Sequence, residues 1–525
     1  MKVRSLRKKI VLVTLVAMVG VSMILVSSGQ CKELRELKVG RVGTLATTLD
    51  PNVLKAWGRT WPIKEAIFEG LLRYNPDTMK LEPCLAERWE VSEDGKELTF
   101  YLRKGVQFHK GFGELTAEDV KATVDRNFEA EKWGIIDVVK WIPPLKRVEV
   151  VDKYTVKFHT EYADYTLVST TVPMFYGWIT SKKALDEYGP EGIKTHAVGT
   201  GPYEVEEWVP MQRLVLKRFP NYWAKKPWFD KVSFVSFGSI HAAGLALKAG
   251  EVDIGPVKPE DIEIYEADPN LDTQLFSAPG GYHWIGFNVQ MSPMDDIRVR
   301  KAIRYAVDVD EILQAIRGGI TEDPGKLRAN SILSPDAVSG FWKDAPVYKP
   351  DLEKARELLA EAGYPDGFTV TMPACAYYGG EPEVGAVVQR QLKKVGINVE
   401  IPVLEIAAFW DEHNPGKGKY PIFVQRWNMP PLPEGILCWF TSGQVGKWNL
   451  MKWGNPRYDE LLEKAAGEPD SAKRSEYYIE MQRLMDEDVV AIWIEYGATA
   501  KAWRTDIDAK FSFADWEVIP GMKRK

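Results

Sequence analysis

Apolar and polar residues alternate in several short segments of this chain. The alternation over 98–102 predicts a half-buried strand. A second alternation, over 148–158, is interrupted by Asp152-Lys153, and the interruption predicts a hairpin. Residues 397–401 alternate in the same way. Strands are therefore expected in both halves of the chain.

Other segments carry apolar residues three or four positions apart, which is the spacing of one helix face. One predicted helix begins with Thr116 and Asp119, spaced as in a capping box, and continues its apolar face to Phe128. Two more are predicted over 352–362 and 384–395, and each is followed by a glycine. Helices that alternate with strands predict α/β units around a sheet.

The first 30 residues contain five cations, an uncharged and mostly apolar run over 10–26 and then small or polar residues. This order is typical of a secretory signal peptide, which we assign to residues 1–30. Cleavage after Gly29 and lipidation of Cys31 are both open, and an uncleaved membrane anchor is a third interpretation. Export places the rest of the chain outside the cytoplasm, and no later stretch is apolar enough to span a membrane.

Length and charge narrow the classes of function. A chain of 525 residues is expected to form two or three domains. The formal net charge is −6, and removing the five leader cations makes it −11. An acidic body without a basic stripe argues against nucleic acid as a partner.

The cysteines and histidines give no sign of a metal or redox site. Beyond Cys31 the cysteines are Cys84, Cys375 and Cys438, with no Cys-x-x-Cys. One disulfide is permitted, and Cys375 with Cys438 is the better guess because both fall in the same half of the chain. The six histidines have no metal-ligand spacing. Nucleophile-elbow, zinc-protease and dinucleotide-binding motifs are also missing, so we expect no cofactor and no catalysis.

Tryptophan is the unusual feature of the composition. There are 19, and four of them fall between Trp427 and Trp453 among turn residues, beside Arg426 and Asn428. An indole offers a flat apolar face and one N–H donor, which suits a sugar ring or a peptide side chain. The alternative for each tryptophan is ordinary core packing.

Five segments resemble one known family. They are LAERWEVSEDGKELTFYLRKGVQFHKGFGELTAEDV at 85–120, GTGPYEVEEWVPMQRLVLKRFPNYW at 199–223, IGFNVQMSPMDDIRVRKAIRYAVDVDEIL at 285–313, DLEKARELLAEAGYPDGFTVTM at 351–372 and NPRYDELLEKA at 455–465. In this order they are similar to the family 5 extracellular solute-binding proteins, the dipeptide, oligopeptide and nickel-binding class of ABC importers.

The resemblance implies an α/β fold of the two-lobed periplasmic-binding-protein type, a type II clamshell in its large three-subdomain form. Lobe one would comprise residues 38–278, with a subdomain at about 75–180, and 495–525 would return to it. Lobe two would comprise 286–494. The implied function is to bind a small organic ligand between the lobes and deliver it to membrane permease subunits, as an extracytoplasmic monomer that is not an enzyme. Closure around a ligand that contacts both lobes needs no bond chemistry.

The resemblance also suggests ligand-binding residues. From lobe two these are Trp427, Asn428, Trp439 and Arg426; from the crossing between the lobes, Tyr282 and Trp284; and from lobe one, Trp57. Hinge packing is the alternative for the two crossing residues. On this assignment Trp427→Ala weakens binding by at least about 1–2 kcal/mol with little loss of fold.

One departure from the family pattern concerns the ligand. Peptide-binding members commonly place an Asp a few residues after the tryptophan that Trp427 resembles, and this Asp pairs with the α-ammonium of the ligand. Here Pro430 and Pro431 occupy that area, and Glu434 is the only carboxylate nearby. A buried ammonium without a carboxylate partner is costly. Peptide-like ligands remain first and oligosaccharides of the cello- or chito- type second.

Two hypotheses of other classes stay open. An exported hydrolase of peptides or glycans would need a nucleophile–base pair or two opposed carboxylates. A ligand-sensing partner of a membrane receptor would share the sequence features of a transport protein. The chemical fate of the ligand separates the first of these from a binding protein, and a neighbouring permease separates the second.

Overall fold

The computed structural model describes residues 34–43, 45–53, 57–78, 80–133, 145–171, 178–318, 327–335, 337, 339–375, 380–404, 406–413, 418–428, 432–512 and 515–525. The chain divides into two compact units, Met1–Leu34 and Arg35–Lys525, and the elements of the fold lie in the second. The predicted signal peptide and Cys31 lie outside the described residues.

The described strands are short except for two, β12 and β18. They are β1 Glu36–Val42, β2 Leu72–Tyr74, β3 Leu81–Pro83, β4 Ala86–Val91, β5 Glu97–Leu102, β6 Leu145–Asp152, β7 Thr155–Thr160, β8 Tyr203–Val209, β9 Arg213–Arg218, β10 Lys231–Phe237, β11 Ile254–Val257, β12 Leu271–Phe287, β13 Phe368–Thr371, β14 Ala374–Cys375, β15 Ile397–Glu400, β16 Val403–Leu404, β17 Ile422–Asn428, β18 Ala491–Arg504, β19 Ile507–Asp508 and β20 Lys523–Arg524.

Helices separate many of these strands. The described α-helices are α1 Trp57–Ile67, α2 Ala117–Asp125, α3 Ala130–Trp133, α4 Lys182–Gly192, α5 Ile240–Lys248, α6 Ile262–Glu266, α7 Ile297–Ala306, α8 Val309–Arg317, α9 Leu352–Glu361, α10 Glu381–Lys393, α11 Ile406–His413, α12 Pro433–Leu437, α13 Pro456–Gly467 and α14 Ser471–Glu487.

The longest strands lie in the middle of a ten-stranded mixed sheet. Its order is β16-β14-β17-β12-β18-β11-β1-β10-β9-β8. The first part of β12 pairs with the last part of β18, from Leu271 opposite Arg504 onward, and its last part pairs with both β17 and the start of β18. Two long strands therefore connect one half of the sheet to the other.

A separate four-stranded sheet, β4-β5-β7-β6, confirms the strand and hairpin predicted over 98–102 and 148–158. The capping box predicted before α2 is also present, since the Thr116 amide donates to Asp119 Oδ2 at 2.8 Å. The predicted apolar face is too long, because α2 ends at Asp125 and Phe128 is 42% exposed. This sheet and α2 share a hydrophobic cluster, the small-sheet core, which includes Phe100, Phe158 and Leu432.

Each half of the ten-stranded sheet is covered by its own apolar clusters. The β17 half is buried on both faces. One face belongs to the aliphatic core, which includes Ile285, Val388 and Val424, and the other to the indole core, which includes Trp284 and Trp427. The β1 half has two further clusters of its own. The helices predicted over 352–362 and 384–395 are confirmed as α9 and α10, and the strand predicted after the second is β15.

Cys375 and Cys438 form no disulfide with each other, so the prediction of a Cys375–Cys438 pair is wrong. Cys375 lies in β14, whereas Cys438 follows α12. Two residues in the same half of a chain need not be close in space. Within the described part of the chain, no group of three or more His, Cys, Asp or Glu residues is placed to hold a metal ion. No helix in that part has the length and hydropathy needed to cross a membrane.

Candidate functional site

The predicted site residues meet where β12 begins to pair with β17. Tyr282 lies opposite Trp427 and His283 opposite Arg426. The pairing of β12 with β18 shifts register between Ser277 and Tyr282, next to the sequence Pro279-Gly280-Gly281. Because side chains alternate along a strand, each β12 residue here faces the opposite side of the sheet from its neighbour.

The aromatic residues of this region lie on one face and are buried. Tyr282, Trp284, Trp427 and Trp439 are exposed by 1%, 0%, 8% and 6%. The ring centroids of Trp284 and Trp427 are 5.1 Å apart and nearly perpendicular, and those of Trp427 and Trp439 are 6.5 Å apart. This geometry is that of aromatic packing in a core. The rings present little surface on which a sugar or a side chain could stack.

The predicted site residues thus divide into three groups. The structure brings Tyr282, Trp284, Trp427 and Trp439 together in the indole core. It places Arg426 on the opposite face of the sheet by strand alternation. Trp57 begins α1 and Asn428 ends β17, and their side chains lie outside the described residues. Ligand contact by these seven residues stays a prediction.

The opposite face carries a buried ionic network that the sequence analysis missed. Glu495 accepts hydrogen bonds from His283 Nδ1 at 2.6 Å and from Arg317 Nη2 at 2.8 Å. Arg317 also donates to Glu260 at 2.8 Å. His283 and Glu495 are 0% exposed and Arg317 is 3% exposed. The network joins β12 and β18 to the end of α8 and to the segment just before α6.

Burial and the neighbouring groups have opposite effects on the pKa values of His283 and Glu495. Burial lowers the pKa of His283 to about 4, against the raising effect of its bond to Glu495, so the imidazole is neutral at pH 7. Burial raises the pKa of Glu495, but the charge of Arg317 and the bond from His283 outweigh it and hold that pKa well below its ordinary value. A neutral imidazole that donates through Nδ1 keeps Nε2 as an acceptor.

A second carboxylate lies close to this network and is not bonded into it. Glu381, the first residue of α10, is 0% exposed. Neither of its carboxylate oxygens accepts a hydrogen bond from another described residue. Burial raises the pKa of Glu381 to about 7, while the charges of Arg426 and, less strongly, Arg317 oppose the rise. The sequence signal was a carboxylate directly after Gly379-Gly380, between a strand and a helix.

Comparison with known proteins identifies the family. The family model described as bacterial extracellular solute-binding proteins, family 5, middle, matches residues 80–448. This is well over half of the chain. The protein belongs to this family.

Family 5 relatives match along most of their length. The chain is 28% identical to the dipeptide-binding protein of Escherichia coli (strain K12) over 470 residues, which cover 84% of this chain and 85% of the relative. It is 26% identical to heme-binding protein A of Haemophilus influenzae (strain ATCC 51907 / DSM 11121 / KW20 / Rd) over 454 residues, 82% of this chain and 81% of that protein.

A solved family 5 structure gives the fold. It is the ABC transporter-associated periplasmic binding protein DppA from Helicobacter pylori in complex with peptide STSA. Its TM-score is 0.83 at 24% identity, with 93% of this chain and 98% of that chain covered. The resemblance read from the five sequence segments is confirmed, as is the α/β type II periplasmic-binding-protein fold.

The family pattern expects an acid shortly after Trp427, and Glu434 is the acid closest to Trp427 in the sequence. In this family 5 protein Glu434 lies in the first turn of α12 and accepts a hydrogen bond from the Tyr478 hydroxyl. Leu432, two residues earlier, is 3% exposed and belongs to the small-sheet core. Glu434 is therefore hydrogen-bonded to Tyr478 and lies next to a segment that packs into the small-sheet core.

Proposed function

We propose that this protein is the extracytoplasmic solute-binding component of an ABC importer and that it binds a peptide-like ligand. The observation that carries the proposal is the family match over residues 80–448. The relatives support the ligand class, since one is a dipeptide-binding protein and the solved structure holds the peptide STSA. Membrane permease subunits are the proposed partners, and a monomer is the proposed working form.

The proposed mechanism is closure of two lobes around the ligand. Lobe one is residues 38–278 with 495–525, including a subdomain at about 75–180, and lobe two is residues 286–494. The pairing of β12 and β18 supports this division, because both strands run between the two halves of the ten-stranded sheet. A ligand that contacts both lobes stabilises the closed arrangement by the contacts made only there.

We propose that the protein acts outside the cytoplasm. The family is one of extracellular proteins, and the leader over residues 1–30 has the order of a signal peptide. Lipidation of Cys31 remains part of the proposal as one of its two forms, with cleavage after Gly29 as the other. Mass spectrometry of the mature protein's first peptide distinguishes them, because a diacylated cysteine adds hundreds of daltons.

The oligosaccharide alternative loses one of the two arguments that supported it. Indoles in the cleft were one of them, whereas Trp284, Trp427 and Trp439 pack against one another in a core. The other, the lack of an Asp shortly after Trp427, still stands. Peptide-like ligands therefore stay first. Hydrolysis is the alternative of another class, and we propose binding instead because the relatives reported above are named for binding.

Native mass spectrometry of the purified mature protein tests the proposal. We expect adducts whose masses are those of short peptides and which are released unchanged on denaturation. A ladder of hexose spacings would favour the oligosaccharide, and a ligand recovered in cleaved form would favour a hydrolase. Added short peptides should also change the small-angle scattering profile, because closure makes the particle more compact.

A further inference from the structure

One loop of the four-stranded sheet, residues 161–165 after β7, is held closely from its own side. The Asp164 amide donates to the Gly95 carbonyl at 3.0 Å, and the Tyr165 hydroxyl donates to the Glu93 carbonyl at 3.2 Å. A Cβ added to Gly95 would lie 2.9 Å from the Tyr165 ring, so the turn after β4 and the loop are in tight contact. The loop therefore belongs with the subdomain proposed at about 75–180.

Residues of proposed lobe two reach the same loop. The Tyr165 amide donates to the Ala466 carbonyl at 2.7 Å. Leu432, just before α12, is buried in the small-sheet core together with Leu167. We call the contact that these four residues make the second lobe contact. It joins the two proposed lobes at a place other than β12 and β18.

Two acidic side chains lie at the second lobe contact, one from each side. Asp164 is 2% exposed, and its Oδ1 accepts hydrogen bonds from the Thr166 amide at 2.8 Å, the Thr166 hydroxyl at 2.7 Å and the Leu167 amide at 3.1 Å. Its Oδ2 is buried and accepts none from another described residue. Glu434, half-buried in the first turn of α12, accepts a hydrogen bond from the Tyr478 hydroxyl. A charged carboxylate oxygen that is buried without a donor is costly.

The two acids act on the same buried site electrostatically. Burial raises the pKa of Asp164 to about 6, the charge of Glu434 adds to the rise, and the hydrogen bonds from Thr166 and Leu167 oppose it. Burial also raises the pKa of Tyr478 well above its ordinary value, and both Glu434 and Asp164 add to that rise. Two negative charges at this site repel each other.

Other ionisable groups lie on the elements packed around the two acids. They are Glu161 and Tyr162 in the loop, Glu93, Asp94 and Lys96 in the turn after β4, Tyr74 in β2, Cys438 after α12, Glu463 on α13 and Arg474 on α14. Arg474 donates to the carbonyl oxygens of Glu468 and Pro469, and Lys96 is exposed. Neither of these two cations donates a hydrogen bond to Asp164, whose Oδ2 has no donor in the described part of the chain.

We propose that the second lobe contact is a proton-sensitive latch, which closes readily when Asp164 is protonated and is opposed by repulsion from Glu434 when Asp164 is charged. The inference rests on the proposed function and adds regulation to it, because closure is the step that retains the ligand. Opening the lobes gives water access to the loop, where the pKa of an aspartate is about 4, so closing takes up a proton. The closed form is therefore favoured fully below about pH 4 and loses that advantage as the pH rises through about 6. At neutral pH the ligand must supply the free energy that closes the latch.

Small-angle scattering of the full mature protein without ligand is the first test. Wild type should be more compact at pH 5 than at pH 8, with the ratio of closed to open protein about 10-fold higher at pH 5. Asp164→Asn should be at least as compact at both pH values as wild type is at pH 5, because its amide is uncharged and can donate a hydrogen bond to Glu434. Glu434→Gln should also be more compact than wild type at pH 8, and its amide oxygen still accepts a bond from Tyr478.

Affinity at a fixed pH is the second test, and its probe is a pool of dipeptides to tetrapeptides. Because the latch keeps the closed form scarce at pH 8, the apparent affinity follows the closed population. Asp164→Asn should bind the pool about 10- to 100-fold more tightly than wild type at pH 8, and this gain should be about 10-fold smaller at pH 5. A substitution that only damaged the contact would weaken binding at both pH values.

Glu161→Gln is the matched control, because Glu161 is an exposed acid in the same loop. It should keep the wild-type dependence on pH in both measurements. A wild-type profile without ligand that is equal at pH 5 and pH 8 overturns the latch and leaves peptide binding intact. So does a folded Asp164→Asn protein that binds the pool no more tightly than wild type at pH 8.

Two further outcomes are distinguishable from these. If Asp164→Asn fails to fold, Glu434→Gln makes the same test from the other lobe, and a Glu434→Gln profile equal to wild type at pH 8 overturns the latch. A peptide pool that binds wild type at neither pH contradicts the proposed function, whereas the scattering profiles without ligand still decide the latch.

Discussion

The backbone amide of Tyr165 donates a hydrogen bond of 2.7 Å to the backbone carbonyl of Ala466. Tyr165 lies within the subdomain proposed at 75–180, and Ala466 lies near the end of α13 in proposed lobe two. Leu432 makes a second contact, an apolar one, since it lies just before α12 and is buried in the small-sheet core. By the proposed boundaries, the lobes therefore meet at a place away from the crossing strands.

Leu432→Ala should weaken this contact. Truncating a buried leucine typically costs about 2–5 kcal/mol, and Leu432 is 3% exposed. We expect a smaller free energy of unfolding in urea and a scattering profile of a less compact particle. Leu245→Ala is the control, since Leu245 is 54% exposed and should change neither measurement. A compact, fully stable Leu432→Ala protein would show that Leu432 does not hold the lobes together.

Arg317→Met should destabilise the protein strongly. It removes the partner of Glu495, which is 0% exposed, and losing one partner of a buried ion pair costs about 3–5 kcal/mol. Adding Glu495→Gln should restore part of the loss, because the second buried charge is then gone. Urea denaturation at pH 7 measures all three proteins.

Lys349→Ala provides the comparison for this ion pair, because Lys349 and Asp310 are an exposed pair. Its effect should stay within about 0.5 kcal/mol. The pKa of Glu495 is held well below 4.5, so its contribution is present above that pH and is lost only as the pH falls through the folded-state pKa. An Arg317→Met protein as stable as Lys349→Ala would contradict the structural role of the network.

Local patterns in the sequence predicted the elements of the fold well. The alternation over 98–102, the capping box at Thr116 and the glycine-ended helices α9 and α10 depend on neighbours in the chain, and all are confirmed. The exception is Phe128, whose spacing fits the apolar face of α2 although the helix ends before it. Spacing alone does not show where a helix ends.

The candidate site depended on contacts that a sequence does not display. Trp427 stands among turn residues in the sequence, yet both faces of β17 are covered, so its ring is buried. Glu381 becomes notable only because β14 lies beside β17, a pairing between segments about 50 residues apart. The family pattern predicted an acid in the loop after β17, and Glu381, which follows β14, was therefore missed.

Trp427→Ala should now cost stability as well as any binding. The expectation of little loss of fold assumed an indole in a cleft, whereas Trp427 is 8% exposed and packs against Trp284 and Phe440. Truncation of a buried tryptophan costs about 3–5 kcal/mol. Thermal unfolding measures the loss, and Phe128→Ala, at an exposed aromatic residue, is the control. Unchanged unfolding with weakened binding would restore the original assignment.

Glu381 should make stability depend on pH in a direction that can be worked out. Burial raises its pKa from 4.5 to about 7, so the folded state holds a proton that the unfolded state releases. The stability that this proton provides is complete below pH 4.5 and is lost as the pH rises through about 7. Glu381→Gln mimics the protonated form, so it should stabilise the ligand-free protein at pH 8 by about 1–3 kcal/mol and have little effect at pH 4.5.

The difference between variant and wild type is the quantity to measure, because Asp164 titrates in the same window. Burial raises the pKa of Asp164 to about 6, and this contribution is common to both proteins and cancels. Urea denaturation of ligand-free protein at pH 4.5, 6 and 8 gives the profile, with Glu383→Gln as the flat control. A Glu381→Gln difference that stays constant across the three pH values would mean that Glu381 is hydrated in solution.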